Sequence, residues 1–314
     1  MNLLTSLRYL AALDEHKHFG RAAQACHITQ PALSNALRAL EAEFGAVIVK
    51  RGRNFEGFTA EGDCVLASAR RMLQERDSLQ QEINSGIGNP QGILNIGAVP
   101  TAMPVVARFS AMLQARYPGI LPVVLSLSSN ELETGLESLA LDMGLGYTDR
   151  LRANGPRLRQ IWQYTEHYFL VRKAGLAHSE AMQIGPKITW AEAAMLPLCL
   201  LTREMYNRTI VDTAFLESGA TVKAVIETNS ILTLALSVVV GDVCSVLPGA
   251  LIGAVRGYRE LEALPLVCPE VRTAIGFMVQ GGDRTSRTLD AALTMAQDAA
   301  WLRHAALHSG QLTG

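Results

Sequence analysis

Between residues 29 and 38 the chain sets out two amides, a pyrrolidine ring, a hydroxyl and a guanidinium at spacings that one helix gathers on one side: Gln30, Pro31, Ser34, Asn35 and Arg38. Near a helix N-terminus, short amides and hydroxyls can read base edges, and a basic side chain can hold phosphate. Leu33, Leu37, Leu40 and Phe44 repeat at core spacing on another face of the same segment. Beyond it, Lys50-Arg51-Gly52-Arg53-Asn54 concentrates positive charge between the short apolar runs 46–49 and 55–58, the pattern of a β-wing with a basic tip. Periodicity alone leaves a second reading open, a small Ala/Leu-rich packing bundle with no DNA to read.

A second set of polar residues falls where predicted strands end and helices begin. These are Thr101, the Ser128-Ser129 pair, Thr202 and Asn229. In open α/β sheets ligands bind beyond the carboxyl ends of strands, where hydroxyls and free N–H groups at a helix start suit a carboxylate or other small anion. The commoner employment of Ser and Thr at such places is simple N-capping, which also stays open for Thr101, Ser128 and Ser230.

The elements that must position these residues follow from the pattern. Leu3, Leu7, Leu10 and Leu13 make the apolar face of a first helix, and a short Ala-rich helix follows near 21–25. Thr29 is placed to cap the third helix, Pro31 is tolerated in its first turn, and Gly45 ends it. From 59 to 84 the chain reads as one long helix with a heptad-like seam of Val65, Ala69, Met72, Arg76, Leu79 and Ile83, and such a stripe asks for a partner. Gly86, Gly88, Pro90 and Gly92 mark a boundary. Strand and helix patterns then alternate: strands near 94–99, 121–127, 143–147, 168–171, 197–201, 222–226 and 244–247, with a last strand at 274–279 and a closing helix from 285 to about 304.

The blocks Phe19-Gly20-Arg21-Ala22-Ala23, Thr29-Gln30-Pro31-Ala32-Leu33-Ser34, Leu37-Arg38-Ala39-Leu40-Glu41, Arg51-Gly52-Arg53 and Phe58-Thr59-Ala60-Glu61-Gly62 resemble, in order and spacing, the signature of LysR-type transcriptional regulators. The resemblance implies an α/β sensor of two Rossmann-like subdomains, periplasmic-binding-protein-like, preceded by an all-α winged helix-turn-helix and a long linker helix. The expected domains are 1–58 for DNA, 59–88 for dimerisation and 89–314 for the effector, with lobe I at about 92–165 and 270–304 and lobe II at about 166–269. It also implies major-groove contacts from Gln30, Pro31 and Ser34, and wing or backbone contacts from Arg51 and Arg53. Asn35 stands where the family usually has Arg, so either a phosphate or groove contact is lost there or the amide reads a base instead. Promoter DNA, a small-molecule effector, a second copy through the linker helix, a tetramer built on sensor contacts, and RNA polymerase are the partners this implies. Thr101 and Ser129 match effector-contacting places in the family.

Composition excludes other classes. With 49% hydrophobic and 18% charged residues in 314, the chain is an ordinary globular protein of more than one core. The net charge of -1 gives no support for nucleic acid, but residues 1–58 hold seven Lys/Arg against five Asp/Glu. Five scattered cysteines without a CxxC motif read as reduced cytoplasmic thiols, and Cys199 as an inert strand residue. No GxSxG, Walker loop, HExxH or GxGxxG motif supports an enzyme, and no membrane segment or cofactor is expected. His304 and His308, four apart, lack a nearby third ligand, so no metal is expected either; His16 and His18 are expected to face solvent at a helix end. A protein that uses its cleft for binding or catalysis, and its first helices only to dimerise, is the alternative class. The block from Thr29 to Ser34 with the basic wing weighs against it.

Overall fold

A computed structural model describes residues 2–52, 55–84, 90–150, 158–175, 181–281 and 285–308; within these, the side chains of residues 51, 78, 81, 82 and 84 are not described. The chain divides into an N-terminal unit ending near residue 88 and a larger C-terminal unit.

The N-terminal unit contains α1 (Leu3–His16), α2 (Phe19–Ala25), α3 (Gln30–Phe44), the hairpin strands β1 (Val49–Arg51) and β2 (Phe55–Phe58), and α4 (Ala60–Asn84). Local chemistry fixes the helix ends. Asn2 caps α1, Thr29 Oγ1 accepts from Ala32 N to cap α3, and Gly45 ends α3 with φ +63, a left-handed conformation open to glycine. His18 is solvent-exposed as expected but also works: its Nδ1 accepts from Gly20 N (3.0 Å) and Arg21 N (3.3 Å), so it is the N-cap of α2. The Leu7/Leu10/Leu13 face of α1 meets Leu33, Leu37 and Leu40 of α3 over the small Ala22 and Ala23. Glu41 ties α3 to the hairpin, its carboxylate accepting from Ile48 N (3.0 Å) and Val49 N (3.1 Å).

The first half of α4 belongs to this core through Leu66 and Ala69, while Met72, Leu79 and Ile83 further along are exposed. At the start of α4, Gly62 leaves no room for a side chain, since a Cβ there would lie 2.1 Å from Ile48 O. Gly62→Ala is therefore expected to destabilise this unit by about 1–3 kcal/mol, the usual cost of overpacking against something that cannot yield. Urea unfolding of the full chain checks this. An unchanged first transition would mean that α4 can slide away from the hairpin without penalty.

The C-terminal unit runs β3 (Gly92–Ala98), a 3-10 turn (Pro100–Ala102), α5 (Met103–Arg116), β4 (Ile120–Ser126), α6 (Ser129–Glu137), β5 (Met143–Tyr147), β6 (Leu158–Lys173), β7 (Gln183–Ile184), β8 (Ile188–Thr189), α7 (Trp190–Ala193), β9 (Leu198–Leu201), α8 (Tyr206–Glu217), β10 (Ile226–Thr228), α9 (Ile231–Val240), β11 (Cys244–Pro248), α10 (Gly249–Val255), β12 (Leu261–Val267), β13 (Arg272–Gln280), α11 (Arg287–Ala296) and α12 (Ala299–His308). The main path of the sheet is β10-β9-β11-β6-β13-β5-β3-β4, with β12 also paired to β6. Parallel trios β4-β3-β5 and β10-β9-β11 lie at opposite ends, the Rossmann-like halves expected from the alternation.

The two halves are joined by β6. Up to His167, opposite Arg272, it pairs with β13; from Tyr168, opposite Pro248, it pairs with β11, and β12 lies along its other edge from Phe169. One strand of 16 residues thus serves both lobes, where the sequence suggests only a short strand at 168–171. Two other elements differ from expectation. The predicted strand at 222–226 forms later, at Ile226–Thr228. The predicted closing helix is two helices, because Asp298 Oδ1 accepts from Ala300 N (2.8 Å) and starts α12 afresh. Trp301 on α12 is buried and donates from Nε1 to Gln163 Oε1 of β6 (2.6 Å), which anchors the end of the described chain to the crossover strand.

Candidate functional site: a reading helix and an interlobe cavity

On α3, Gln30, Pro31, Asn35 and Arg38 are exposed and Ser34 is half-buried, while Leu33, Leu37 and Leu40 are fully enclosed. All five polar-face residues thus lie on the solvent side of the helix. Arg38 Nη1 donates to Asn35 Oδ1 (3.4 Å), so the unusual amide lightly tethers the guanidinium. The helix dipole and the uncommitted N–H groups of the first turn add positive potential where Gln30 sits. Lys50 is exposed on β1; the side chain of Arg51 and all of Arg53 lie outside the described residues.

In the C-terminal unit a narrow cleft opens between the lobes. Thr101, Ser128 and Ser129 line it from one lobe, and Leu201, Met205, Tyr206 and Asn207 from the other. Tyr147, at the end of β5, stands between them. Its Oη pairs with Thr101 Oγ1 (2.9 Å) and accepts from Asn207 Nδ2 (3.2 Å), so a strand end, a 3-10 turn and the first turn of α8 are pinned to one phenol. All three side chains are buried. Burial pushes the Tyr147 phenol far above its ordinary range, so it stays protonated.

The predicted residues divide by what their hydroxyls do. Thr101 is not a helix cap; its bond goes to Tyr147. Ser128 is one: Ser128 Oγ donates to Glu131 Oε2 and accepts from Glu131 N, and these bonds hold the Glu131 carboxyl below its usual range. Ser129 is buried at the start of α6, and the Ser128–Glu131 bonds leave its hydroxyl out. Thr202 Oγ1 donates to Glu204 Oε1 (2.7 Å), and Asn229 is exposed; neither lines the cavity. Ser230 caps α9.

Tyr147, Tyr206 and Asn207 are the contributors that the sequence reading did not single out. Their signal was present in the positions: Tyr147 ends a strand and Tyr206 opens a helix. Arg208, next to Asn207, fixes that helix start. Its buried guanidinium donates to Leu201 O (2.7 Å) and pairs with Asp212 and Glu227 (2.8 Å each). At the cavity's Tyr206 side, Arg150 lies over the Tyr206 ring at 5.1 Å and bonds Glu133 (2.7 Å) and Asn130.

Cys199 and Cys244 lie in adjacent strands but point to opposite faces, since Cys244 is opposite Leu198 and Cys199 opposite Ser245. They pack in different cores, and burial pushes both thiols up. His304 and His308 meet edge to face with ring centroids 4.6 Å apart, and burial lowers His308. No group of three or more metal-ligating residues occurs among the described residues. No helix among them is long and apolar enough to cross a membrane.

Residues 4–63 match the family described as bacterial regulatory helix-turn-helix protein, lysR family, and residues 88–301 match the LysR substrate binding domain. The chain belongs to the LysR family: it is a DNA-binding transcriptional regulator with an effector-binding domain, and not an enzyme. It is 27% identical over 288 residues to the DNA-binding transcriptional dual regulator OxyR of Escherichia coli, covering 89% of this chain and 90% of that one. It is 30% identical over 223 residues, 70% of each chain, to the probable HTH-type transcriptional regulator LrrA of Synechococcus elongatus. A full-length OxyR variant from Pseudomonas aeruginosa shares the fold with a TM-score of 0.70 at 22% identity, covering 94% of this chain and 97% of that one. CbnR solved with its target DNA gives 0.63 at 18% identity, covering 96% and 99%.

Proposed function

We propose that this regulator senses a compact anion, a carboxylate or small inorganic ion, in the interlobe cavity, and reads promoter DNA with Gln30, Pro31, Ser34, Asn35 and Arg38 of α3 and the basic wing of Arg51 and Arg53. The observation that carries the effector reading is the Thr101–Tyr147–Asn207 bond set, which joins both lobes around a space lined, among the described residues, by no charged side chain. Such a space suits a ligand held by neutral donors: the Ser129 hydroxyl, the first N–H groups of α6, and Thr101. Thr202 and Asn229, further from this space, remain candidates only for a larger ligand or a more closed cleft. A ligand bridging the lobes favours one closure angle if its affinity differs between the two states, and that difference drives the response at the promoter, including any contact with RNA polymerase.

A thermal-shift screen of the full chain against small carboxylates and inorganic anions tests the reading, because a ligand that binds the native state raises its stability. For the anion it finds, Thr101→Val is expected to weaken binding about three- to tenfold, the worth of one net hydrogen bond, and Ser129→Ala by a similar factor. Unaltered binding in both variants would move the effector elsewhere. The names of the peroxide-inducible relatives suggest a response to peroxide instead, for which a cysteine pair would be one chemistry. In this chain the opposite facing of Cys199 and Cys244 favours the anion reading.

The exposed Met72, Leu79 and Ile83 of α4 support a homodimer through this helix, with tetramers built on sensor contacts in a cytoplasmic protein. Leu79→Asp is expected to convert the dimer of the fragment 1–88 to monomer in sedimentation, with the full chain run alongside. A fragment that is monomeric before mutation, at concentrations where the full chain is oligomeric, would place the interface on another surface.

A further inference from the structure

Glu166 is a carboxyl that nothing in the fold explains. It is fully buried, and neither oxygen has a hydrogen-bond partner among the described residues; the Tyr164 hydroxyl beside it is equally unpaired. It lies on β6 opposite Thr273, two residues before the strand passes from one lobe's pairing to the other's. Alternation along the strands puts Tyr164, Glu166 and Tyr168 on one face, and register carries that face through Ile275 of β13 to Tyr147. Tyr168 Oη pairs with Thr273 Oγ1 (3.2 Å). Glu166 thus stands in the second layer behind the phenol that both lobes grip.

We propose that an anion enters the interlobe cavity only together with a proton held on Glu166, so that effector binding is proton-linked through the strand that joins the lobes. This rests on the anion reading of the cavity given above. The physical reason is like-charge exclusion: an ionised carboxylate and a bound anion in one buried cluster repel with little solvent between them. Among the described residues no compensating cation bears on Glu166. Tyr164 and Tyr168 on β6, Tyr147 on β5 and Asp149 just beyond it are the titratable groups that bear on Glu166. The three phenols are pushed up by burial and stay protonated. Asp149 adds negative charge. His167 faces the other way, beside Arg272 and Glu270, and burial lowers it. Burial, assisted by the charge of Asp149, pushes Glu166 up to about 8, so its proton is lost within reach of ordinary buffers. Binding then follows the protonated fraction. Affinity for a permanently ionised probe falls about tenfold between about pH 6.5 and about pH 9.

The test uses acetate, ionised throughout that range, with the full chain and its Glu166→Gln variant, which keeps the shape and removes the titration. Infrared difference spectra of the unliganded protein between the two pH values are expected to show a protonated carboxyl band in the parent that disappears at the higher pH and is missing in the variant. Calorimetric titration with acetate is expected to give about tenfold weaker binding at the higher pH in the parent and equal affinities in the variant. A missing band in the parent overturns the proposal whatever binds. A band with pH-independent acetate affinity overturns the linkage while leaving the cavity reading intact. Absence of acetate binding at both pH values, with the band present, overturns the anion reading and the linkage with it. Should the variant fail to fold, the parent's band and its pH-dependent affinity still decide the matter.

Discussion

Glu166→Gln is expected to flatten the stability–pH curve of the protein and, above about pH 8, to leave it about 4–5 kcal/mol less penalised than the parent, relative to their difference in acid. The sign follows from the direction of the shift. The carboxyl ionises near its ordinary 4.5 in the unfolded chain but only near 8 in the folded one. Below the lower value both states carry the proton, and the parent's stability is intact. As pH rises the unfolded chain releases the proton while the folded protein keeps it, so stability falls until the folded carboxyl ionises as well. A glutamine has no such window. Urea unfolding at intervals from about pH 4.5 to about pH 9 checks this; parallel curves for parent and variant would show that Glu166 titrates normally and is solvated in solution.

The second large effect is expected on DNA. Gln30→Ala should cost about 1–3 kcal/mol in specific binding and much less on unrelated duplex, since a side chain that pairs with a base edge is read only at the correct sequence. Arg53→Ala should instead weaken binding to all sequences and lower the steepness of the salt dependence, as loss of a phosphate contact does. Fluorescence anisotropy on specific and scrambled duplexes at several salt concentrations separates the two. Equal losses on both duplexes in Gln30→Ala would remove Gln30 from the reading set.

What was legible in the sequence is what local chemistry decides. Thr29, Pro31 and Gly45 specify the ends of α3 without help from the rest of the fold, and the Leu33/Leu37/Leu40 spacing fixes its buried face. The α/β alternation was legible because strands such as β5, β9 and β11 are short, apolar and wholly buried, whereas the polar, exposed β10 was misplaced. Residues 158–167 were missed as part of β6 because Arg159 and Gln160 are surface and Gln163 and Glu166 look like it, while the burial of the last two is set by distant elements: α12 over Gln163 and β13 beside Glu166. The cavity was legible as a set of strand ends, hence Thr101, Ser128 and Ser129. Its other wall was not. Thr202 ends β9 as expected, yet its hydroxyl turns to Glu204, and Asn207 reaches the cavity because Arg208 pins the start of α8 to Leu201.

In the proposed mechanism α3 of this regulator reads sequence while a ligand-controlled unit governs how two copies present it. Selection of bound duplexes from a random-sequence pool by the full chain tests this most directly. The expected result is enrichment of a two-part motif whose halves lie about one helical turn, or a whole multiple of it, apart. Gln30→Ala is expected to select the same spacing with one position in each half relaxed. A selected pool with no common sequence, or one that Gln30→Ala leaves unchanged at every position, would contradict it.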